Sequence, residues 1–212
     1  MRLILASASP RRRELLARLG IPFDVRPVSV IEEVESANPV IVASRLARMK
    51  AEAARLAEPE EPILAADTVV VHAGAILGKP RDAGEAREML RRLRGESHRV
   101  ITAVVVMPRG GRAALLRHPE TEVTMRRYTD EEIEASISRG DPFDKAGGYA
   151  IQDEMLRPVQ RYEGCYCNVV GLPLWTTAEL LKRAGVDITH IRPQDMLPQC
   201  ASCPLRPLVQ SA

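Results

Sequence analysis

Three arginines, Arg11, Arg12 and Arg13, follow Ser9-Pro10 directly, at a point that reads as the first turn of a helix. A helix N-terminus carries free backbone N–H groups and partial positive charge, so cations weaken it and anions strengthen it. A phosphate placed there is held by backbone and dipole together. Arg12 precedes Leu16 by four residues and so points along the buried stripe of the helix. Two readings stand for this feature alone, a phosphate cradle and a solvated basic patch.

Asp67 is the second candidate. It interrupts a near-continuous apolar run over residues 63–71, with Thr68 beside it and Val69-Val70-Val71 after it. A carboxylate inside a covered strand needs a cation, a metal ion or hydrogen-bond donors, because desolvation of a lone charge is too costly. The plain alternative, a strand that ends at Ala66 with Asp67 capping a turn, fits poorly with the valines that follow. Lys79 lies in Gly78-Lys79-Pro80. Gly74 and Gly78-Lys79 fall one residue short of Walker spacing and no Ser or Thr follows, so this is not a P-loop. Lys50 is four residues after Leu46 and sits at the edge of an apolar helix face, where a lysine ordinarily snorkels. Glu32-Glu33 is an acidic pair in an extended segment, fit for a hard divalent ion or simply a surface loop. Asp144-Lys145-Ala146-Gly147-Gly148-Tyr149-Ala150-Ile151-Gln152 combines two glycines, which permit close backbone approach, with a glutamine able to read a base edge. A structural turn would also explain the glycines.

Other chemistries find little support. His72, His98, His118 and His190 show no ligand spacing, and there is neither a serine nucleophile elbow nor an HExxH helix. The four cysteines form Cys165-Tyr166-Cys167 and Cys200-Ala201-Ser202-Cys203. Free cytosolic thiols and a zinc or iron–sulfur site are both open readings of them.

Composition sets the outer bounds. The 212 residues are 45% hydrophobic, enough for a real core in one domain or one domain with two lobes. Aromatics are only 3%, so a base-stacking platform for single strands is not expected. A net charge of +2, from 30 basic and 28 acidic residues, is no polyanion-binding balance, so no nucleic-acid polymer is expected as partner. No apolar run is long enough to span a bilayer and no signal-peptide core is present. The expected location is the cytoplasm, with no membrane partner.

The elements that must carry these groups alternate. A strand over residues 3–6 is followed by a helix capped by Ser9, with Leu15, Leu16 and Leu19 inward and Gly20 as its end. Residues 23–30 are extended. Asn38-Pro39 opens a second helix whose stripe is Val42, Leu46, Met49, Ala53 and Leu56. Residues 63–71 form a central strand covered on both faces. Ala73-Gly74 turns into a short partner strand, and residues 82–93 form a helix with Ala86, Met89, Leu90 and Leu93 inward. Residues 100–107 form a β-branched strand that returns antiparallel over residues 113–125. Thr129 and Glu132 make a capping box for a helix to Ser138. Residues 140–148 are loop, 149–152 extended, and 177–184 the last helix. Prolines 193, 198, 204 and 207 predict a poorly ordered tail. The pattern is α/β with a mixed sheet flanked by helices, a domain over residues 1–188 and a Pro- and Cys-containing tail over 189–212.

Six blocks in order resemble the Maf family, the septum-formation-type nucleotide pyrophosphatases, over residues 2–184. They are Leu5-Ala6-Ser7-Ala8-Ser9-Pro10-Arg11-Arg12, Leu46-Ala47-Arg48-Met49-Lys50-Ala51, Ala65-Ala66-Asp67-Thr68-Val69-Val70, Gly78-Lys79-Pro80, the Asp144 to Gln152 block, and Asn168-Val169-Val170-Gly171-Leu172-Pro173-Leu174. The resemblance implies a two-lobed fold akin to the inosine-triphosphate pyrophosphatases, with a cleft between the lobes. It implies hydrolysis of a nucleoside triphosphate to the monophosphate and diphosphate, with Mg²⁺ or Mn²⁺. The family's proton acceptor falls on Asp67 and its specificity positions on Arg11, Thr68 and Gln152. That Arg, Thr, Gln combination looks like the dTTP/UTP-preferring branch. Ser7, Arg12, Lys50, Lys79 and Lys145 are the phosphate-binding candidates, and Glu33 and Asp67 the metal candidates, with Asp67 open as base or ligand. A homodimer is a further expectation. Asp153 stands where the family usually has Gly, and the segment to Arg161 and the tail after Gly185 also depart from its pattern. The alternatives are a 7-methyl-GTP-type pyrophosphatase and a nucleotide-binding regulator of cell division without turnover.

Overall fold

Side chains alternate across a strand, and here both faces of the central strands are apolar. β1 (Leu3–Leu5) sends Leu3 and Leu5 to one core and Ile4 to another. β3 (Ile63–His72) divides in the same way, with Leu64 and Ala66 on one side and Ile63, Ala65, Val69 and Val71 on the other. Strands apolar at nearly every position persist only where helices cover both faces.

The structure, a computed structural model, describes residues 2–30, 34–110 and 113–207. Among the described residues eight strands form one mixed sheet. Its order is β2 (Phe23–Val25), β1, β3, β5 (Ser97–Met107), β7 (Glu120–Met125), β8 (Val159–Glu163). β4 (Ala75–Leu77) adds to β3, and β6 (Leu115–Arg117) adds to β5. β1 runs parallel to β2 and β3, and the other pairings are antiparallel. The spine is the β3–β5 ladder, in register from Ile63 opposite Met107 to Val71 opposite Arg99. An α/β fold with a mixed sheet is therefore what the alternating pattern required.

α1 (Pro10–Ala17) starts as expected, with the Ser9 hydroxyl accepting from the Arg12 N–H and proline at the first helical position. α2 (Pro39–Ala57) is capped by Asn38, whose side chain accepts from the N–H groups of Val40 and Ile41. Its buried face is Val42, Ala43, Leu46, Ala47, Ala51 and Ala54. The expected stripe through Met49, Ala53 and Leu56 is a neighbouring face of the same helix, and Leu56 is 88% exposed. Both stripes satisfy the helical period. Close approach to β3 and β5 selects the one with small side chains. α3 (Ala83–Leu93) buries Ala86, Met89, Leu90 and Leu93 as its pattern demanded. α4 (Asp130–Ser138) opens on the Thr129–Glu132 capping box.

Several expectations are corrected. The return over residues 113–125 is two strands, because Pro119 has no N–H to keep a ladder running. Only Phe23–Val25 of the extended segment pairs with the sheet. Residues 149–152 form irregular chain and a turn. β8 and α5 (Tyr166–Val170) stand where no element was read, and α6 (Leu174–Arg183) begins earlier than Thr177. Residues 186–207 are folded back. Val186, Met196, Cys200 and Cys203 are buried in the core that also holds α1 and α6. Trp175 Nε1 donates to the Cys200 carbonyl at 3.0 Å, and His190 Nε2 lies 3.1 Å from the Leu19 carbonyl. No helix among the described residues is long and apolar enough to cross a membrane.

One feature of the sheet sets the place of the site. β1 pairs with β3 only at Ile63 and Leu64, with the Ala6 N–H donating to the Leu64 carbonyl. β4 pairs with β3 from Val70 onward. Between these partners, residues 66–69 have β5 on one edge and, among the described residues, no strand on the other.

Candidate active site

A cavity of about 280 Å³ opens at that gap. Its walls come from the start of α1, from Lys50 on α2, from β3, from Gly78-Lys79 after β4, and from the segment over residues 144–152. Five blocks distant in sequence thus meet at one interrupted sheet edge.

Asp67 is only 7% exposed, and Lys50 Nζ lies 2.6 Å from its Oδ1. Strand parity puts Asp67 on the same face as Ile63, Ala65 and Val69, the face that α2 covers. Lys50, at the edge of the apolar stripe of α2, is therefore the cationic partner of a carboxylate buried in an apolar strand.

Thr68 points the other way. Its Oγ1 accepts from Arg12 Nη2 at 3.0 Å and lies 2.9 Å from Thr102 Oγ1, directly opposite in the β3–β5 ladder. Thr102 Oγ1 donates its one hydrogen to the Asn168 carbonyl at 2.7 Å. Thr68 must then be the donor to Thr102, since a hydroxyl has a single hydrogen. The proton directions run from Arg12 to Thr68 to Thr102 to the Asn168 carbonyl. Arg12 Nε also donates to the Gly171 carbonyl at 2.9 Å. Gly171 has φ +119°, and a Cβ there would lie 3.3 Å from Thr68 Oγ1 and 3.4 Å from Arg12 Nε. Glycine allows the α5–α6 connection to close on the guanidinium.

At the mouth, Arg11 Nη1 lies 3.0 Å from Asp144 Oδ2. Lys145 Nζ bonds to the same carboxylate and to the Asp141 carbonyl. Burial works against the charge on Asp144, yet Lys145 and Arg11 hold its carboxyl below the ordinary value. Behind this segment, Tyr149 is buried with its hydroxyl 2.6 Å from His98 Nε2. Burial, with His72 adding to it, lowers His98 to about 4, so the imidazole is neutral at neutral pH. Burial raises the Tyr149 phenol. The Gly147 N–H donates to the Gly78 carbonyl at 2.9 Å. Gly147 has φ +73°, and a Cβ there would meet Val70 Cγ1 at 3.2 Å.

The structure brings Arg11, Arg12, Lys50, Asp67, Thr68, Lys79, Lys145 and Gln152 to one cavity. Lys79 and Gln152 are exposed at its edge. Ser7 does not line it. The Ser7 side chain is buried under the β1–α1 turn and its Oγ accepts from the Ser9 N–H at 3.2 Å. Ser9, read only as a cap, does line the cavity. Glu33 lies outside the described residues. Sequence reasoning missed Thr102 and Asn168, the polar backing of Thr68. A threonine in a β-branched strand carries no signal of its own, and Asn168 is buried in a helix too short to read from periodicity. It also missed the His98–Tyr149 pair, because two residues 51 apart acquire a partner only through the fold.

The model of the Maf-like protein family matches residues 2–184. The chain is 54% identical over 209 residues to a dTTP/UTP pyrophosphatase of Thermomicrobium roseum, covering 98% of this chain and 95% of that one. It is 48% identical over 197 residues to a dTTP/UTP pyrophosphatase of Anaeromyxobacter dehalogenans, covering 91% and 98%. A third such protein, from Geobacter sulfurreducens, is 46% identical over 185 residues, covering 87% and 97%. The family match runs from β1 to the end of α6 and so spans every segment that walls the cavity, and the chain belongs to the Maf family.

Proposed function

We propose that this protein is a nucleoside triphosphate pyrophosphatase that hydrolyses dTTP and UTP to the monophosphate and diphosphate. The observation that carries the reading is Asp67: a buried carboxylate, oriented by Lys50, at a gap where the central sheet opens into a cation-walled cavity. The names of the relatives support the choice of substrate. The same reading takes the gap between β1 and β4 as the seam between two lobes.

Asp67 accepts a proton from the attacking water. The water oxygen bonds to the α-phosphorus, the bond from that phosphorus to the α–β bridging oxygen breaks, and diphosphate leaves. Lys50 holds Oδ1 and so sets the plane of the carboxylate, leaving Oδ2 as its other acceptor. Arg12, Lys79 and Lys145 surround the triphosphate and offset the charge that builds on the leaving group. Arg12 is held in direction by Thr68 and Gly171, so it needs little reorganisation to do so.

A divalent ion, Mg²⁺ or Mn²⁺, belongs to this reading. Among the described residues no group of three or more His, Cys, Asp or Glu is arranged for a metal ion. The donor chemistry nevertheless fits, because Mg²⁺ is commonly held by one or two carboxylates plus substrate phosphates. Asp67 is the described residue that would hold it. Such an ion supplies positive charge to the phosphate oxygens when bound.

Arg11, Thr68 and Gln152 choose the base. The hydroxyl hydrogen of Thr68 is committed to Thr102, so toward a ligand Thr68 can act only as acceptor. An N–H on the base edge suits it and a carbonyl does not. Diphosphate release measured on dTTP, UTP, CTP and 7-methyl-GTP with Mg²⁺ or Mn²⁺ tests the proposal. Fastest release from dTTP and UTP is expected. Preference for 7-methyl-GTP, or nucleotide binding without diphosphate release, overturns it.

A further inference from the structure

We propose that Cys165, Cys167, Cys200 and Cys203 form a structural zinc site that ties the C-terminal segment to the wall of the cavity. All four cysteines of the chain are buried, all are free, and all meet in one cluster. Cys167 Sγ lies 3.5 Å from Cys200 Sγ, across 33 positions of sequence. The Cys165 side chain lies beside those of Cys167 and Cys203, near enough for the thiols to act on one another. The contacts therefore link the sulfurs in the order Cys203, Cys165, Cys167, Cys200.

Spacing and softness both point to zinc. Cys200-x-x-Cys203 has the ordinary spacing of a zinc knuckle. Cys165-x-Cys167 is one residue shorter, but its backbone turns between the two. Cys165 is extended, at φ −104° and ψ 117°, and Cys167 is inside α5. Four thiolates select zinc over the hard ions suited to the cavity. With zinc–sulfur bonds of about 2.3 Å, the edge of a tetrahedral set is about 3.8 Å. The Cys167–Cys200 separation is close to that edge. Among the described residues no group of three or more His, Cys, Asp or Glu is arranged to hold a metal ion as it stands. Closure thus needs side-chain adjustment together with loss of the thiol protons. Zn²⁺ replaces up to four S–H protons, which go to solvent, and no electron is transferred.

Plain apolar packing explains buried thiols. It does not explain why they contact one another. The segment they fasten has little regular structure, since from Val186 to Cys203 it is two short turns, Pro193–Asp195 and Pro198–Cys200. Small units of this kind ordinarily need a staple. The site would also stiffen the cavity wall. The Cys167 carbonyl accepts from the N–H groups of Gly171 and Leu172, and the Gly171 carbonyl holds Arg12.

Metal content of the full chain, purified without a metal-chelating resin, tests the proposal directly. Mass-spectrometric metal analysis should give close to one zinc per chain. Cobalt added to chelator-stripped protein should produce thiolate-to-cobalt charge transfer and the visible bands of tetrahedral cobalt. The sulfur band separates this site from an oxygen-liganded ion at Asp67, whatever the fate of the proposed activity. The double variant Cys200→Ser, Cys203→Ser should lose both the zinc and the cobalt bands. If that variant fails to fold, the metal content and cobalt spectrum of the unaltered protein still decide. Absence of zinc together with absence of the sulfur band overturns the proposal. So does iron with acid-labile sulfide, and so do disulfides found by alkylation of the freshly isolated chain.

Discussion

Asp67 and Thr68 are consecutive in β3 yet hold opposite faces of the sheet, Asp67 Oδ1 at 2.6 Å from Lys50 Nζ and Thr68 Oγ1 at 3.0 Å from Arg12 Nη2. Neighbouring strand residues normally serve separate compartments. Here the gap between β1 and β4 lets both reach one cavity. A carboxylate fixed by a cation on one face and a guanidinium fixed by a hydroxyl on the other are brought to the same cavity.

Asp67→Asn retains an acceptor for Lys50 and removes the proposed base. Diphosphate release from dTTP should fall by at least about 100-fold. The circular dichroism spectrum should be unchanged. Turnover near that of the unaltered protein would take Asp67 out of the chemistry.

Thr68→Val keeps the shape of the side chain and breaks the relay from Arg12 to Thr102. A hydrogen bond to a charged group contributes about 1.5–3 kcal/mol, so kcat/KM for dTTP should fall by about tenfold or more. Thr68→Ser should recover most of the loss. Steady-state kinetics on the two variants checks this, and equal losses in both would assign the effect to packing.

Gly171→Ala combines a left-handed backbone with contact against Thr68 and Arg12. The variant should lose about 1–3 kcal/mol of stability and a larger share of kcat/KM than its stability explains. Gly185→Ala is the control, with φ +84° and no atom within 4 Å of the added Cβ. It should show the backbone cost in urea unfolding and leave kcat/KM intact.

His98 makes stability fall in acid. Its folded value is lowered from 6.5 to about 4 by burial. Below pH 6.5 the unfolded chain binds a proton at this residue that the folded chain does not. Stability should therefore be fully present above pH 6.5, fall as pH drops toward 4, and level off below that for this group. The full difference is about 3 kcal/mol. Urea midpoints from pH 7.5 to 4 should show a steeper decline in the unaltered protein than in His98→Gln. Parallel profiles would mean that His98 does not titrate between the two states.

The sequence by itself determined the caps, most of the apolar periods and most of the candidate residues that line the cavity. Ser9-Pro10, Asn38-Pro39, Asp82 and the Thr129–Glu132 box act within a few residues, so local chemistry is enough to place them. Asp67 was legible because a charge in an apolar strand demands a partner, and the six blocks supplied the candidate cations. Tertiary structure alone decided which cation it was, because Lys50 meets Asp67 only when α2 lies across β3. It also moved the buried stripe of α2 onto its alanines, set Ser7 beneath the turn and Ser9 in the cavity, and gave Thr68 its backing in Thr102 and Asn168. The tail shows the limit most plainly. Its prolines predicted a poorly ordered segment, whereas Cys200 and Cys203 meet Cys165 and Cys167 across the fold, a meeting that the two short cysteine spacings left open.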